Sequence, residues 1–149
     1  MGEEAVRIER AAVAGENTDS CILYFDANGL KGVNDGEGGH AAGDDYLQRI
    51  ALAISQVARP TDVVARIGGD EFALLLQKAD FAAVRELWEK RLLPELLRRK
   101  VSVSTGVARF NRKNIDGSKK QADKAMYQAK KTSRVYGTNE LVVFGERKV

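Results

Sequence analysis

Val63-Val64-Ala65-Arg66-Ile67-Gly68-Gly69-Asp70-Glu71-Phe72-Ala73-Leu74-Leu75-Leu76 sets a glycine pair and two adjacent carboxylates between two short apolar runs. Such runs on either side of Gly-Gly predict two antiparallel strands, Val63 to Ile67 and Phe72 to Leu76, joined by a two-residue turn whose positions need φ > 0. The hairpin lifts acids off the edge of a sheet. Because side chains alternate along a strand, Asp70 and Glu71 are expected to point in opposite directions. At most one of them can readily serve a given site, and the other is left for the opposite face.

Working outward, Cys21-Ile22-Leu23-Tyr24-Phe25 is a continuous apolar run ending in Asp26, the pattern of a central strand buried on both faces. A glycine-rich loop follows. Ala41 to Val57 carries Leu47, Ile50, Ala51 and Ile54 at helical spacing and is broken by Arg59-Pro60-Thr61. Phe81 to Arg98 reads as a second helix, with Pro94 predicting a kink or an early end. Val101 to Ala108 is rich in strand formers, Asn111 to Gly117 is a loop, Lys119 to Lys131 a helix and Leu141 to Phe144 a last strand. Glu3 to Ala14 has the composition of a leading helix. Stripped of that helix, the order is the split βαβ arrangement of an α+β, ferredoxin-like domain, with one further helix and strand.

The 149 residues are expected to form one domain, a fragment or output unit of a larger protein, and 44% apolar with 30% charged residues is the balance of a soluble globular chain. No stretch is apolar over a membrane-spanning length, and Met1-Gly2-Glu3-Glu4 lacks a signal peptide's character, which points to a cytoplasmic domain without membrane contact. The single cysteine, Cys21, has no internal disulfide partner and reads as a buried hydrophobe. The net charge of +3 gathers toward the end of the chain, in residues such as Lys124, Lys130, Lys131 and Arg134. A basic surface meets phosphates of several kinds, although most such lysines form a solvated helix face.

Asp26 ends the first strand, and Asp70 lies on the segment expected to pair beside it. Carboxylates converging from adjacent strand ends hold hard divalent cations, and the natural chemistry of such ions is transfer at phosphorus. Carboxylates at strand ends also serve as caps and turn formers.

Asp26-Ala27-Asn28-Gly29-Leu30-Lys31-Gly32-Val33-Asn34-Asp35, then Gly39-His40-Ala41-Ala42-Gly43-Asp44, then Arg66-Ile67-Gly68-Gly69-Asp70-Glu71-Phe72, together resemble the GGDEF domain of diguanylate cyclases. Val103-Ser104-Thr105-Gly106-Val107 and Ala122 to Lys130 resemble a strand and the last helix of that family, so the likeness runs from about Ile22 to Arg134. It implies a palm-type nucleotide cyclase fold that condenses two GTP molecules into cyclic di-GMP with release of two pyrophosphates. Asp26 and Asp70 correspond to side-chain ligands of Mg²⁺ or Mn²⁺, about two ions per GTP, with the Ala27 carbonyl as a backbone ligand and Glu71 in a lesser role. Asp70 inherits the part of base for the ribose 3′-hydroxyl, and Lys31 neutralises phosphate charge as the transition state develops. Asn34 and Asp44 match the guanine-reading pair. Gly29 and Leu30 bring backbone amides to the triphosphate, while Lys130, Arg134 and Arg66 are the substrate's basic contacts.

Arg59-Pro60-Thr61-Asp62 matches the family's Arg-x-x-Asp product site, in which a guanidinium grips phosphate and a carboxylate grips guanine. His40 belongs to a structural Gly-His step. The chain departs from the family pattern in a loop one residue longer between Asn34 and Asp44, in the absent Asp-x-Leu-Thr-Gly-Leu-x-Asn-Arg opening, and in Ser133-Arg134-Val135 where Gly-Arg-Asn is usual. Because the hydroxyl of one GTP must attack the α-phosphate of another, a homodimer is needed, and the isolated chain is expected to dimerise weakly. A catalytically weak module that binds GTP or cyclic di-GMP as a regulator is the alternative. A nucleic-acid-binding role is not expected, for want of aromatic stacking positions.

Overall fold

The computed structural model describes residues 19–146; the expected helix over Glu3 to Ala14 lies outside them. The elements are β1 (Ser20–Ala27), α1 (Leu30–Asp35), α2 (Gly39–Val57), β2 (Val63–Arg66), β3 (Glu71–Gln77), α3 (Phe81–Leu87), a π-helical turn (Trp88–Leu92), α4 (Leu93–Arg98), β4 (Val103–Arg109), α5 (Ile115–Tyr136) and β5 (Glu140–Val143). The sheet order is β2-β3-β1-β4-β5, antiparallel except where β5 runs parallel to β4. This is the expected α+β split βαβ arrangement with one added strand.

Every residue of β1 is buried, as its continuous apolar run requires. Leu23 and Phe25 pack with Leu47, Ile50 and Ile54 of α2 and with Val84, Leu92 and Leu96 of the α3–α4 segment. On the other face Ile22 and Tyr24 meet Ala122 and Met126 of α5. Cys21 is buried, donates its thiol to the Ala79 carbonyl at 3.2 Å, and is pushed by burial up to about 12, the state of an inert core side chain.

Three elements differ from the sequence expectation. The glycine-rich loop contains α1, a six-residue helix with no fully buried residue, whose two half-buried apolar residues, Leu30 and Val33, are too short a run to read as a period. Pro94 falls in the first turn of α4 and the helix continues through it, because the π-helical turn just before it absorbs the missing N–H and the ring's clash with the preceding turn. The hairpin turn is three residues, not two: Ile67 N–H reaches the Glu71 carbonyl at 3.0 Å, leaving Gly68, Gly69 and Asp70 outside the ladder. Neither glycine adopts a left-handed φ. The longer loop removes the need for a primed turn, and Arg66 fastens it by donating to the carbonyls of Gly68 at 3.2 Å and Gly69 at 2.5 Å.

Gly106 in β4 does need to be glycine. A Cβ there would lie 2.1 Å from both the Ala122 carbonyl oxygen and the Met126 amide nitrogen, backbone atoms of α5 that cannot turn aside. Gly106→Ala is therefore expected to lower stability by about 3 kcal/mol, at the upper end of ordinary overpacking, read as a shift in the urea midpoint.

Candidate active site

Asp26 stands at the end of the central strand, 4% exposed. Its direct cross-strand partner is Glu71, the first residue of β3. Directly opposed residues share a face, so Glu71 lies beside Asp26 and not on the far side as alternation from Asp70 suggests. The alternation argument fails because Asp70 sits in the loop, outside the strand. Its carbonyl accepts the Ala27 N–H at 3.0 Å, which pins that loop against the end of β1. Burial first, and then the neighbouring Asp70, pushes the Asp26 carboxyl above its ordinary range, while Lys130 opposes the shift. Burial, followed by Asp26 and Asp70, pushes Glu71 up as well.

One cation stands among these acids. Lys130 of α5 donates to Asp26 Oδ2 at 2.5 Å, whereas Asp26 Oδ1 is buried without a hydrogen-bond partner among the described residues. A buried carboxylate oxygen left unpaired is costly and calls for a positive partner. Among the described residues no three acid, histidine or cysteine side chains converge tightly enough to hold an ion unaided. Magnesium does not require that, since it is commonly held by one or two carboxylates with substrate phosphates completing its shell. The all-oxygen donors of Asp26, Asp70, Glu71 and the Ala27 carbonyl fit such an ion, and the orphaned Oδ1 gives it an anchor.

The backbone turns sharply after Asp26. Gly29 takes a left-handed conformation (φ 70°) as N-cap of α1, so the first-turn amides, those of Leu30 and Lys31 included, have no partner inside the helix. A polar network holds this corner: Asn28 donates to Ser102 Oγ at 2.8 Å and accepts from Ser104 Oγ at 2.6 Å, and the Tyr46 hydroxyl donates to the Asn28 carbonyl at 2.8 Å. The motif reading passed over Asn28, Tyr46, Ser102 and Ser104. Asn28 stood within the quoted motif without an assigned role, and of the others only Ser104, buried in β4, gave a signal. Beside the corner lies a cavity of about 380 Å³ lined by Asn28, Gly29, Ser102, Lys130, Ser133 and Arg134. Gly29, Lys130 and Arg134 are thus brought together, as the motifs suggest, and Lys31 stands exposed on α1.

On the other side, a cavity of about 610 Å³ is lined by Asp44, Gln48, Val64, Arg66 and Phe72 among others. The Asn34 side chain rests on Gly43, where a Cβ would fall 1.7 Å from its Oδ1, so the absent side chain of Gly43 seats Asn34 next to Asp44 in sequence. Asp44 and Arg66 therefore share a cavity that Asn34 flanks without lining.

Arg59 and Asp62 meet each other. The guanidinium forks onto the carboxylate through Nε and a terminal nitrogen, both at 3.1 Å, and the Gln77 amide adds a bond at 3.1 Å. The Asp62 side chain is 0% exposed and that of Arg59 is 47% exposed. Asp62 is thus committed inward, and only the guanidinium is presented to solvent.

Replacing the buried charge tests its cost. Asp26→Asn is expected to raise stability at neutral pH by about 1 kcal/mol, because it removes an incompletely paired buried carboxylate while Lys130 can turn to solvent. The sign with pH follows from the raised carboxyl: the wild-type penalty is present above the folded-state value and vanishes as pH falls toward the ordinary 3.8. Urea melts of both proteins between pH 7 and 4 should therefore converge at the acid end.

Comparison with known proteins agrees with the geometry. The family profile described as "Diguanylate cyclase, GGDEF domain" matches residues 3–135. The chain is 33% identical over 144 residues to the probable diguanylate cyclase DgcT of Escherichia coli K12, covering 89% of this chain and 31% of that protein. It is 32% identical over 133 residues to diguanylate cyclase A of Treponema denticola, covering 81% of this chain and 35% of that protein. It therefore spans about a third of the length of these curated relatives. The solved GGDEF domain of DgcB from Caulobacter crescentus, in complex with c-di-GMP, superposes with a TM-score of 0.79 at 26% identity, over 95% of this chain and 85% of that one.

Proposed function

The chain belongs to the GGDEF domain family of diguanylate cyclases, and from that premise we propose that it condenses two GTP into cyclic di-GMP and two pyrophosphates across a dimer of two such domains. The observation that carries this reading is the buried Asp26 with its unpaired oxygen, set beside Asp70 and Glu71 between a basic cavity and one lined by Asp44. Asp26, Asp70 and the Ala27 carbonyl would hold Mg²⁺ or Mn²⁺, with Glu71 beside them. When bound, the metal would make the attacking hydroxyl more acidic and neutralise phosphate oxygens.

The chain's own residues do the rest. Asp70 accepts the proton of the ribose 3′-hydroxyl as that oxygen attacks the α-phosphate held by the partner domain, and pyrophosphate leaves. Lys31, with the amides of Leu30 and its neighbours, meets the phosphate charge that grows in the transition state, while Lys130 and Arg134 hold the terminal phosphates. Asn34 and Asp44 read guanine: a carboxylate accepts from its N1 and N2 hydrogens, donors that adenine lacks at those positions. Each domain holds one GTP, so the reaction needs two copies and a cytoplasmic supply of GTP. Among the described residues no helix is long and apolar enough to cross a membrane.

The test is incubation with GTP and Mg²⁺ of the lone domain and of the domain fused to a dimeric coiled coil, with nucleotide chromatography as readout. Cyclic di-GMP should appear with the fused dimer, and Asp70→Asn should lower its rate by at least about 10²-fold, the usual weight of a general base. GTP binding without product in the fused dimer would assign the domain to the regulatory class instead. At the Arg-x-x-Asp motif we place the phosphate contact on Arg59 alone, with Asp62 positioning it rather than reading guanine. Calorimetry should show cyclic di-GMP binding weakened about tenfold or more in Arg59→Ala, the scale of a lost charge-assisted contact. Unchanged binding removes that reading.

A further inference from the structure

Lys130 belongs to both halves of the site. Its ammonium lies 2.5 Å from Asp26 Oδ2, on the same carboxylate as the unpaired Oδ1, and its side chain also lines the cavity of Gly29 and Arg134. The side chain is 28% exposed on a flexible four-carbon stem, so it passes between the two places without a change in the backbone. Lys130 is the cation that opposes the effect of burial on both Asp26 and Glu71.

We propose that Lys130 is the resident cation of the metal seat, holding Asp26 until a divalent ion displaces it into the phosphate cavity, so that metal and nucleotide binding reinforce each other through this one side chain. The inference rests on the reading of Asp26 as a metal ligand. An ion anchored on the orphaned Oδ1 stands across the same carboxylate from the ammonium on Oδ2, and repulsion between the two positive charges drives the ammonium off. The cavity that receives it already holds Arg134, one turn farther along α5, and is unfavourable for a second cation until a polyphosphate supplies negative charge. Metal alone therefore binds against the resident lysine, whereas metal with nucleotide moves the lysine to a partner. Linkage makes the effect reciprocal. Asp70, Glu71 and Asp123 also face this region, and the ion that replaces Lys130 restores the counter-charge that Asp70 and Glu71 would otherwise lose.

The experiment titrates Mn²⁺, followed by loss of its free-ion electron paramagnetic resonance signal, into wild type, Lys130→Met and Asp26→Asn, each with and without α,β-methylene GTP. Without nucleotide, Lys130→Met should bind Mn²⁺ about tenfold tighter than wild type, within the usual range of coupling between sites. The enhancement that nucleotide gives should shrink by a similar factor, its direct metal–phosphate part remaining. Equal or weaker Mn²⁺ binding in Lys130→Met, alongside loss of binding in Asp26→Asn, overturns this inference and leaves the metal reading intact. Unchanged Mn²⁺ binding in Asp26→Asn overturns both. A readout on the wild type avoids any folding defect of the variants: acylation of Lys130, measured by mass spectrometry, should rise when Mg²⁺ is added alone and fall again with the nucleotide. Acylation indifferent to Mg²⁺ also overturns the proposal.

Discussion

Asp26 is a carboxylate at the end of a strand buried on both faces, and the arrangement around it follows from that placement. The run from Ser20 to Ala27 is continuous because helices cover the sheet front and back. A charge at its end has little water to solvate it and must find cations or hydrogen bonds. One oxygen has Lys130; the other has no hydrogen-bond partner among the described residues. Asp70, carried to the same end by the hairpin loop, and Glu71, the cross-strand neighbour, deepen the electrostatic debt rather than relieve it.

Lys130 reaches Asp26 because Gly106 lets α5 lie against the sheet. Gly106 pairs with Tyr24 in β1, and the backbone of Met126 fills the place its Cβ would take. The parallel strands β4 and β5 are joined through α5, so α5 runs against β4 and alongside β1. From that crossing, two residues along β1 advance about 6.6 Å to Asp26. Four residues along α5 advance about 6 Å to Lys130. The close approach at one glycine thus sets the register by which a helix cation meets a strand anion, and one turn later Ser133 and Arg134 arrive at the cavity beside Gly29.

The sequence showed the strands well where burial imposed a pattern and poorly where backbone geometry decided. The apolar run before Asp26, the helical spacing from Leu47 to Ile54 and the β-rich Val103 to Val107 each reflect a face packed against another element, and each was legible. By contrast, α1 packs only the half-buried Leu30 and Val33 on the core, and the hairpin's three-residue loop depends on Arg66 reaching back to two carbonyls. Neither leaves a periodic trace. The same limit governs the site. Motif residues such as Gly29, Lys130 and Arg134 were identified by resemblance to the family's motifs, but the pairing of Lys130 with Asp26 spans 104 positions and exists only once the sheet and α5 are in register. The place of Glu71 was misread for a related reason, since alternation holds within a strand and Asp70 lies just outside one.

Two ion pairs of like composition show what separates a structural pair from a poised one. At Asp62 both carboxylate oxygens are satisfied, Oδ1 by a terminal nitrogen of Arg59 and the Gln77 amide and Oδ2 by the Arg59 Nε and backbone N–H. Parting that pair would forfeit several bonds at once and strand a buried charge, which is why it serves better as a fixed support for the exposed guanidinium. At Asp26 only one oxygen is met, and by a point charge on a flexible stem in place of a planar fork. Its partner can leave without breaking a network, and any cation that satisfies both oxygens gains what the lysine does not supply. Incomplete satisfaction in a buried position therefore marks Asp26 as the carboxylate built to change partners, whereas Asp62 is built to keep its own.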